Sequence, residues 1–156
     1  MKNLTFITRF ILLASVALFT NACETDEKII TYNLEGNWKV ISFENYETST
    51  SIIKTEENTW TQFNNGDISV SFDGSGLAGG VMSGINVTNS FSGSYTIGSA
   101  GEISIKNVGW TKINEPEWGK LFHSIQSAQT YGLINGRLRI FYNDKKNSIT
   151  FEKIDK

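Results

Sequence analysis

Apolar and polar residues alternate in short runs along most of the chain, and between residues 114 and 128 the period changes. There Trp118, Leu121, Phe122, Ile125 and Ala128 follow the i, i+3, i+4, i+7 spacing of one helical stripe. Asn114 is a suitable N-cap, and Pro116 falls in the first turn, where its missing N–H costs nothing. Glu115 and Glu117 put negative charge at the positive end of the helix dipole. The pattern predicts one helix over about 115–128. Period-two alternation predicts strands at 39–44, 67–73 (Ile68, Val70 and Phe72 on one face), 91–97, 102–106, 130–134, 137–142 and 148–153. Trp60-Thr-Gln-Phe63 is a candidate start of another. Asn135-Gly136 between two such runs is a strong hairpin signal, since both residues tolerate positive φ. Residues 47–58 read as a loop or poorly paired segment. The stretch from Gly74 to Asn89, rich in glycine, serine and asparagine, reads as a long mobile loop. The expected fold is α+β and mainly β: an antiparallel sheet or cracked barrel of seven to eight strands closed by one helix.

The first 22 residues follow another logic. Lys2 and Arg9 precede an almost unbroken apolar run, Phe10 to Phe19, which is too short to span a bilayer needing about 20 residues in a helix. Small residues and then Cys23 follow. This is the layout of a secretory signal, and a cysteine at the cleavage point resembles a bacterial lipoprotein signal. Residues 1–22 are therefore expected to be a lipoprotein-type signal peptide, 23–33 an anchor cysteine with a charged tether, and 34–156 the folded domain. Acyl chains on Cys23 would hold the protein to a membrane, each buried CH₂ contributing about 0.8 kcal/mol. The expected location is the bacterial cell envelope, on the outer membrane.

Composition narrows the partners. Without residues 1–22 the net charge of −2 becomes −4, and no basic stripe remains, which argues against nucleic acid. With 39% apolar and 19% charged residues, the chain has the profile of a folded β-rich domain. Its single cysteine excludes an intrachain disulfide.

The order of elements resembles the META-domain family of bacterial envelope lipoproteins. The likeness is carried by Leu34-x-Gly36-x-Trp38, by Asn89-Ser-Phe91-Ser-Gly93-Ser-Tyr95, and by Glu102-Ile-Ser-Ile105. The helix with Glu117, Leu121 and Phe122 continues it, as do Leu138-x-Ile140-x-Tyr142 and Ile149-x-Phe151. The family's frequent Gly-Cys-Asn triplet is represented only by Gly84-Ile-Asn86. The resemblance implies a compact sheet or cracked barrel closed by a helix, without an established enzymatic activity. Gly36-x-Trp38 also looks lipocalin-like, but a barrel interrupted by a helix before its closing strands fits the META pattern better.

Candidate chemistry is sparse. The single histidine, His123, lies about 140° from Trp118 on the helical wheel and should face solvent. No second histidine is available to hold zinc, and no nucleophile elbow is present, so neither a catalytic residue, a metal nor a cofactor is expected. Asp67, Asp73, Glu115, Glu117 and Asp144 are scattered acids better suited to solvation and capping than to glycoside hydrolysis. Trp60, Trp110 and Trp118 are candidates for a ligand or partner surface, with core packing as the alternative. The expected function is that of a non-enzymatic, lipid-anchored binding protein for a hydrophobic small molecule or an envelope protein. A carbohydrate-binding or carbohydrate-active surface accessory, and a scaffold of an outer-membrane complex, are the alternatives.

Overall fold

A computed structural model describes residues 33–74 and 78–154; the signal segment, Cys23 and the tether lie outside the described residues. Nine strands form one antiparallel sheet: β1 (Gly36–Asn45), β2 (Thr50–Ile53), β3 (Ser69–Gly74), β4 (Gly80–Ile85), β5 (Ser90–Ile97), β6 (Ile103–Trp110), β7 (Ala128–Ile134), β8 (Arg137–Tyr142) and β9 (Asn147–Lys153). Their order is β6-β5-β4-β3-β1-β9-β8-β7, with β2 paired to the far half of β1. The order is mostly that of the sequence, except that β1 pairs both β2 and β3 on one side and the last strand, β9, on the other, and that β6 and β7 are left as the two ends of the path. The free ends of this path approach each other where Glu102 bridges Thr130 and the Tyr131 N–H donates to Gly101 O at 2.8 Å. The sheet is thus a curled half-barrel with a seam between β6 and β7.

Inward positions are those the alternation marks. Ile68 just before β3, Val70 and Phe72 on it, Phe91 and Tyr95 on β5, Leu138 and Ile140 on β8, and Ile149 and Phe151 on β9 are all buried. Asn135 and Gly136, with φ of 54° and 75°, make the tight turn between β7 and β8 that their sequence predicts. One end of the barrel receives the chain: Leu34 is buried there, and the Trp38 indole N–H donates to its carbonyl at 2.9 Å.

The other end is closed by the segment between β6 and β7, and here the structure corrects the sequence. The helix is a five-residue α1 (Glu117–Leu121) running into a 3₁₀ turn, Phe122–Ser127, rather than one helix over 115–128. Residues 114–116 stay extended because the neighbouring loop holds them: Thr88 Oγ1 donates to Asn114 O at 2.9 Å, and Glu115 is bonded to residues 88 and 89. Pro116, not Asn114, takes the N-cap position. The stripe survives in part. Trp118, Phe122 and Ile125 are fully buried inside the barrel, Leu121 is half-buried, and Ala128 already begins β7. Trp118 packs edge-on to Phe43 at 4.8 Å, and Phe122 meets Phe91 at 5.2 Å.

Two more expectations change. The stretch read as a loop from Gly74 to Asn89 contains β4, paired on both sides. Its glycines conceal it, and Gly84 shows why: a Cβ there would overlap Ser69 O and press on the Phe91 ring, so only glycine lets β3 and β5 approach. Trp60 to Phe63 forms turns instead of a strand, while β2 emerges within the segment read as a loop or poorly paired stretch, with all four residues exposed. No helix of the described residues is long and apolar enough to cross a membrane.

Candidate functional site

The outward side chains of β2, β1, β9, β8 and β7 form two rows across the sheet. The pairing register places Ile53, Ser42, Thr150, Arg139 and Gly132 in one row, and Ser51, Glu44, Ser148, Phe141 and Thr130 in the next. They point outward because Phe43, Ile149, Ile140 and Tyr131 between them point into the core. An outward row usually meets water, yet Ser148 and Thr150 are 0% and 1% exposed. Larger neighbours lie over them.

Glu44 is the centre of that cover. Its Oε2 accepts from Tyr46 OH at 2.8 Å and Ser148 Oγ at 3.0 Å, and its Oε1 accepts from Ser42 Oγ at 3.1 Å and Thr150 Oγ1 at 3.2 Å. Burial by itself would raise its pKa. The hydrogen bonds from Tyr46, Ser148 and Ser42, with the Arg139 charge, outweigh that and hold the carboxyl below its ordinary value. The Tyr46 phenol moves the other way, raised chiefly by burial. Tyr46 also lies 6.4 Å from Phe141, ring to ring, so two aromatic rings edge the polar node.

Arg139 is poorly served by comparison. Its Nη1 is 3.9 Å from Glu44 Oε2 and 3.5 Å from Tyr46 OH, and its buried Nε has no partner. A guanidinium has five donors, and these contacts are marginal by length. On β7, the residue opposite is Gly132, where a Cβ would meet nothing within 4 Å. Two residues earlier on that strand, Thr130 Oγ1 is buried without a partner. The arrangement joins a satisfied carboxylate, an under-bonded guanidinium and an open position on one face. It suits recognition of a polar ligand and has no histidine or thiol for nucleophilic chemistry.

The residues singled out from sequence lie elsewhere and do not converge. Trp118 is in the core with its indole N–H unpartnered. Half-buried Trp110 packs on Phe91 at 4.9 Å, and exposed His123 stacks on it at 4.4 Å. Trp60, also half-buried, pairs with Phe63 at 6.3 Å. Beside Trp110, Ser90, Ser92, Gly109 and Thr111 line a shallow, uncharged cleft of about 500 Å³. Asp67 pairs with Lys54, Asp73 accepts from Ser71 Oγ at 3.1 Å, and Glu117 and Asp144 are exposed.

Glu115 alone among these acids is buried. It accepts from Asn89 N at 2.9 Å, Asn89 Nδ2 at 2.7 Å and Thr88 N at 3.2 Å, so it staples the entry of α1 to the loop after β4. A side chain at Gly119 would overlap it. Among the described residues no three His, Cys, Asp or Glu side chains gather as metal ligands would. Glu44 and Arg139 were not singled out in the sequence. Charged residues at outward positions of β1 and β8 were the available signal, and charges at such positions usually mean only solvation.

No protein-family model matches the chain, and no curated protein does. Among solved structures, a DUF4847 family protein from Bacteroides vulgatus is similar, with a TM-score of 0.51 and 16% identity over 78% of this chain and 95% of that one. The likeness is one of fold.

Proposed function

We propose that this protein is a non-enzymatic, lipid-anchored envelope lipoprotein whose META-like domain binds its ligand or partner on the outer face of the sheet. The observation that carries this reading is the filling of the barrel: Trp118, Phe122 and Ile125 enter from the α1 segment and are fully buried. A hydrophobic ligand held inside would have to displace them, at a cost of several kcal/mol for the two aromatics alone. The outer face around Glu44 and Arg139 keeps unused donors and partly exposed rings. Anchoring rests on the apolar run that ends at Cys23.

Two measurements test the reading. Solvent extraction of the purified full-length protein should release no lipid in stoichiometric amount beyond the acyl anchor, and one bound lipid per domain would overturn the outer-face assignment. Cys23→Ser should move the protein from the membrane to the soluble envelope fraction; retention in the membrane would refute the anchor.

A further inference from the structure

Apart from Arg9, the chain has two arginines, Arg137 and Arg139, and both lie on β8 at outward positions two residues apart. Strand geometry separates their Cα atoms by about 7 Å. Arg137 is exposed, and no ion pair involves it among the described residues. Arg139 has the marginal contacts and unpartnered Nε described above. Phe141, half-buried, is the next outward position along β8 after Arg139, and Tyr46 OH reaches Arg139 from beyond β1. The open position at Gly132 lies directly across from Arg139.

We propose that Arg137, Arg139, Phe141 and Tyr46, with the open position at Gly132, bind an acidic saccharide through the carboxylate of a uronic acid unit. This deepens the outer-face reading and rests on it. The guanidinium fork matches a carboxylate in two parallel hydrogen bonds. Glu44 beside Arg139 offsets part of the positive charge, which favours a monoanionic carboxylate over a dianionic phosphate. The apolar face of a pyranose ring can lie on Phe141, and its hydroxyls can exchange bonds with Tyr46 and Glu44, which already bind hydroxyl groups. The cleft beside Trp110 has hydroxyls but no cation among its lining residues, so it lacks the group that would select an acid.

The probe is trigalacturonate, titrated into the full-length protein by calorimetry, with its methyl ester as the uncharged form of the same sugar and with acetate and inorganic phosphate as anions without it. Trigalacturonate should bind, the methyl ester and the small anions at least about tenfold more weakly. Arg139→Gln should weaken binding by about tenfold or more, the scale of a lost charged hydrogen bond. Raised salt should weaken it further. Gly132→Gln should block the site, whereas Gly109→Gln, at an equally open position on β6, should not; unchanged melting curves would show that both variants fold.

Failure of trigalacturonate to bind overturns the proposal, as does equal binding of the methyl ester. Equal binding of acetate or phosphate would reduce the face to a general anion site and overturn the saccharide. Equal loss in Gly109→Gln would show that the effect does not depend on the Arg139 face and would overturn the proposal. If a photo-crosslinker at Tyr46 captures a partner while trigalacturonate does not bind, the outer-face reading stands and only the ligand class falls.

Discussion

Two carboxylates, Glu115 and Glu44, are enclosed by hydrogen bonds in this domain, and the way each is enclosed differs. Glu115 is held by two backbone N–H groups and an asparagine amide of one tight loop, and among the described residues no ion pair involves it. Its donors are fixed by the fold. Glu44 is held by the phenol of the turn after β1 and by three hydroxyls on β1 and β9, with a guanidinium at 3.9 Å. Its donors can rotate. The first arrangement is a lock and the second an adjustable surface, so only the second can trade its bonds for those of a ligand.

The lock secures α1, so the sharpest break is to remove what it holds in place. Phe122→Ala should cost about 3 to 5 kcal/mol by opening a cavity against Phe91 and Trp110. For a domain stable by about 5 to 15 kcal/mol, chemical denaturation should show a much lower midpoint. Near-equal midpoints would mean that the α1 segment does not fill the barrel. Glu115→Ala should follow, at roughly 2 to 4 kcal/mol, because it strands the buried N–H of Asn89 and the half-buried N–H of Thr88. Glu44→Ala should cost only about 1 kcal/mol, since its hydroxyl donors can turn to water or to one another. If Glu44→Ala proved the costlier of the two, the distinction between lock and adjustable surface would be lost.

Acid probes the adjustable site directly. Glu44 titrates below its ordinary value, so its share of stability is complete above the unfolded carboxylate pKa of about 4.3 and disappears as pH falls through the lower folded value. The stability gap between wild type and Glu44→Gln should therefore be constant from neutral pH to about 5 and close on acidification below about 4. Denaturation midpoints at several pH values check this, and a gap that widened in acid would reverse the sign. The smallest effect belongs to Lys120→Ala on the exposed side of α1, within about 0.5 kcal/mol.

Periodicity in the sequence marks most of the fold, and it misleads where another constraint overrides the period. Ile68, Val70 and Phe72 announce β3 because a half-buried strand must alternate. β4 was hidden because Gly80 and Gly84 sit where neighbouring strands press closest, and such glycines imitate a loop. The helix is shorter than its apolar stripe because the stripe continues into a 3₁₀ turn and then β7, while Glu115 pins the chain before α1 can begin. The binding face was the least legible part. Its members come from strands separated by most of the chain, and nothing local marks Glu44 as the partner of Ser148 and Arg139.

The pairing of the first strand with the last has a consequence for synthesis. Tyr46 and Ser148 are hydrogen-bonded at a separation of 102 residues, and the β1–β9 ladder runs from Trp38–Lys153 to Asn45–Asn147. A growing chain can form the hairpins β3–β4 and β5–β6 as they emerge, but β1 has one bare edge until β9 is made. Closing so long a loop is paid for before its contacts form, which places such a fold among the slower ones, in milliseconds to seconds. The sheet thus stays open until β9 is made, and loss of Asn147–Lys153 would be felt across the whole barrel.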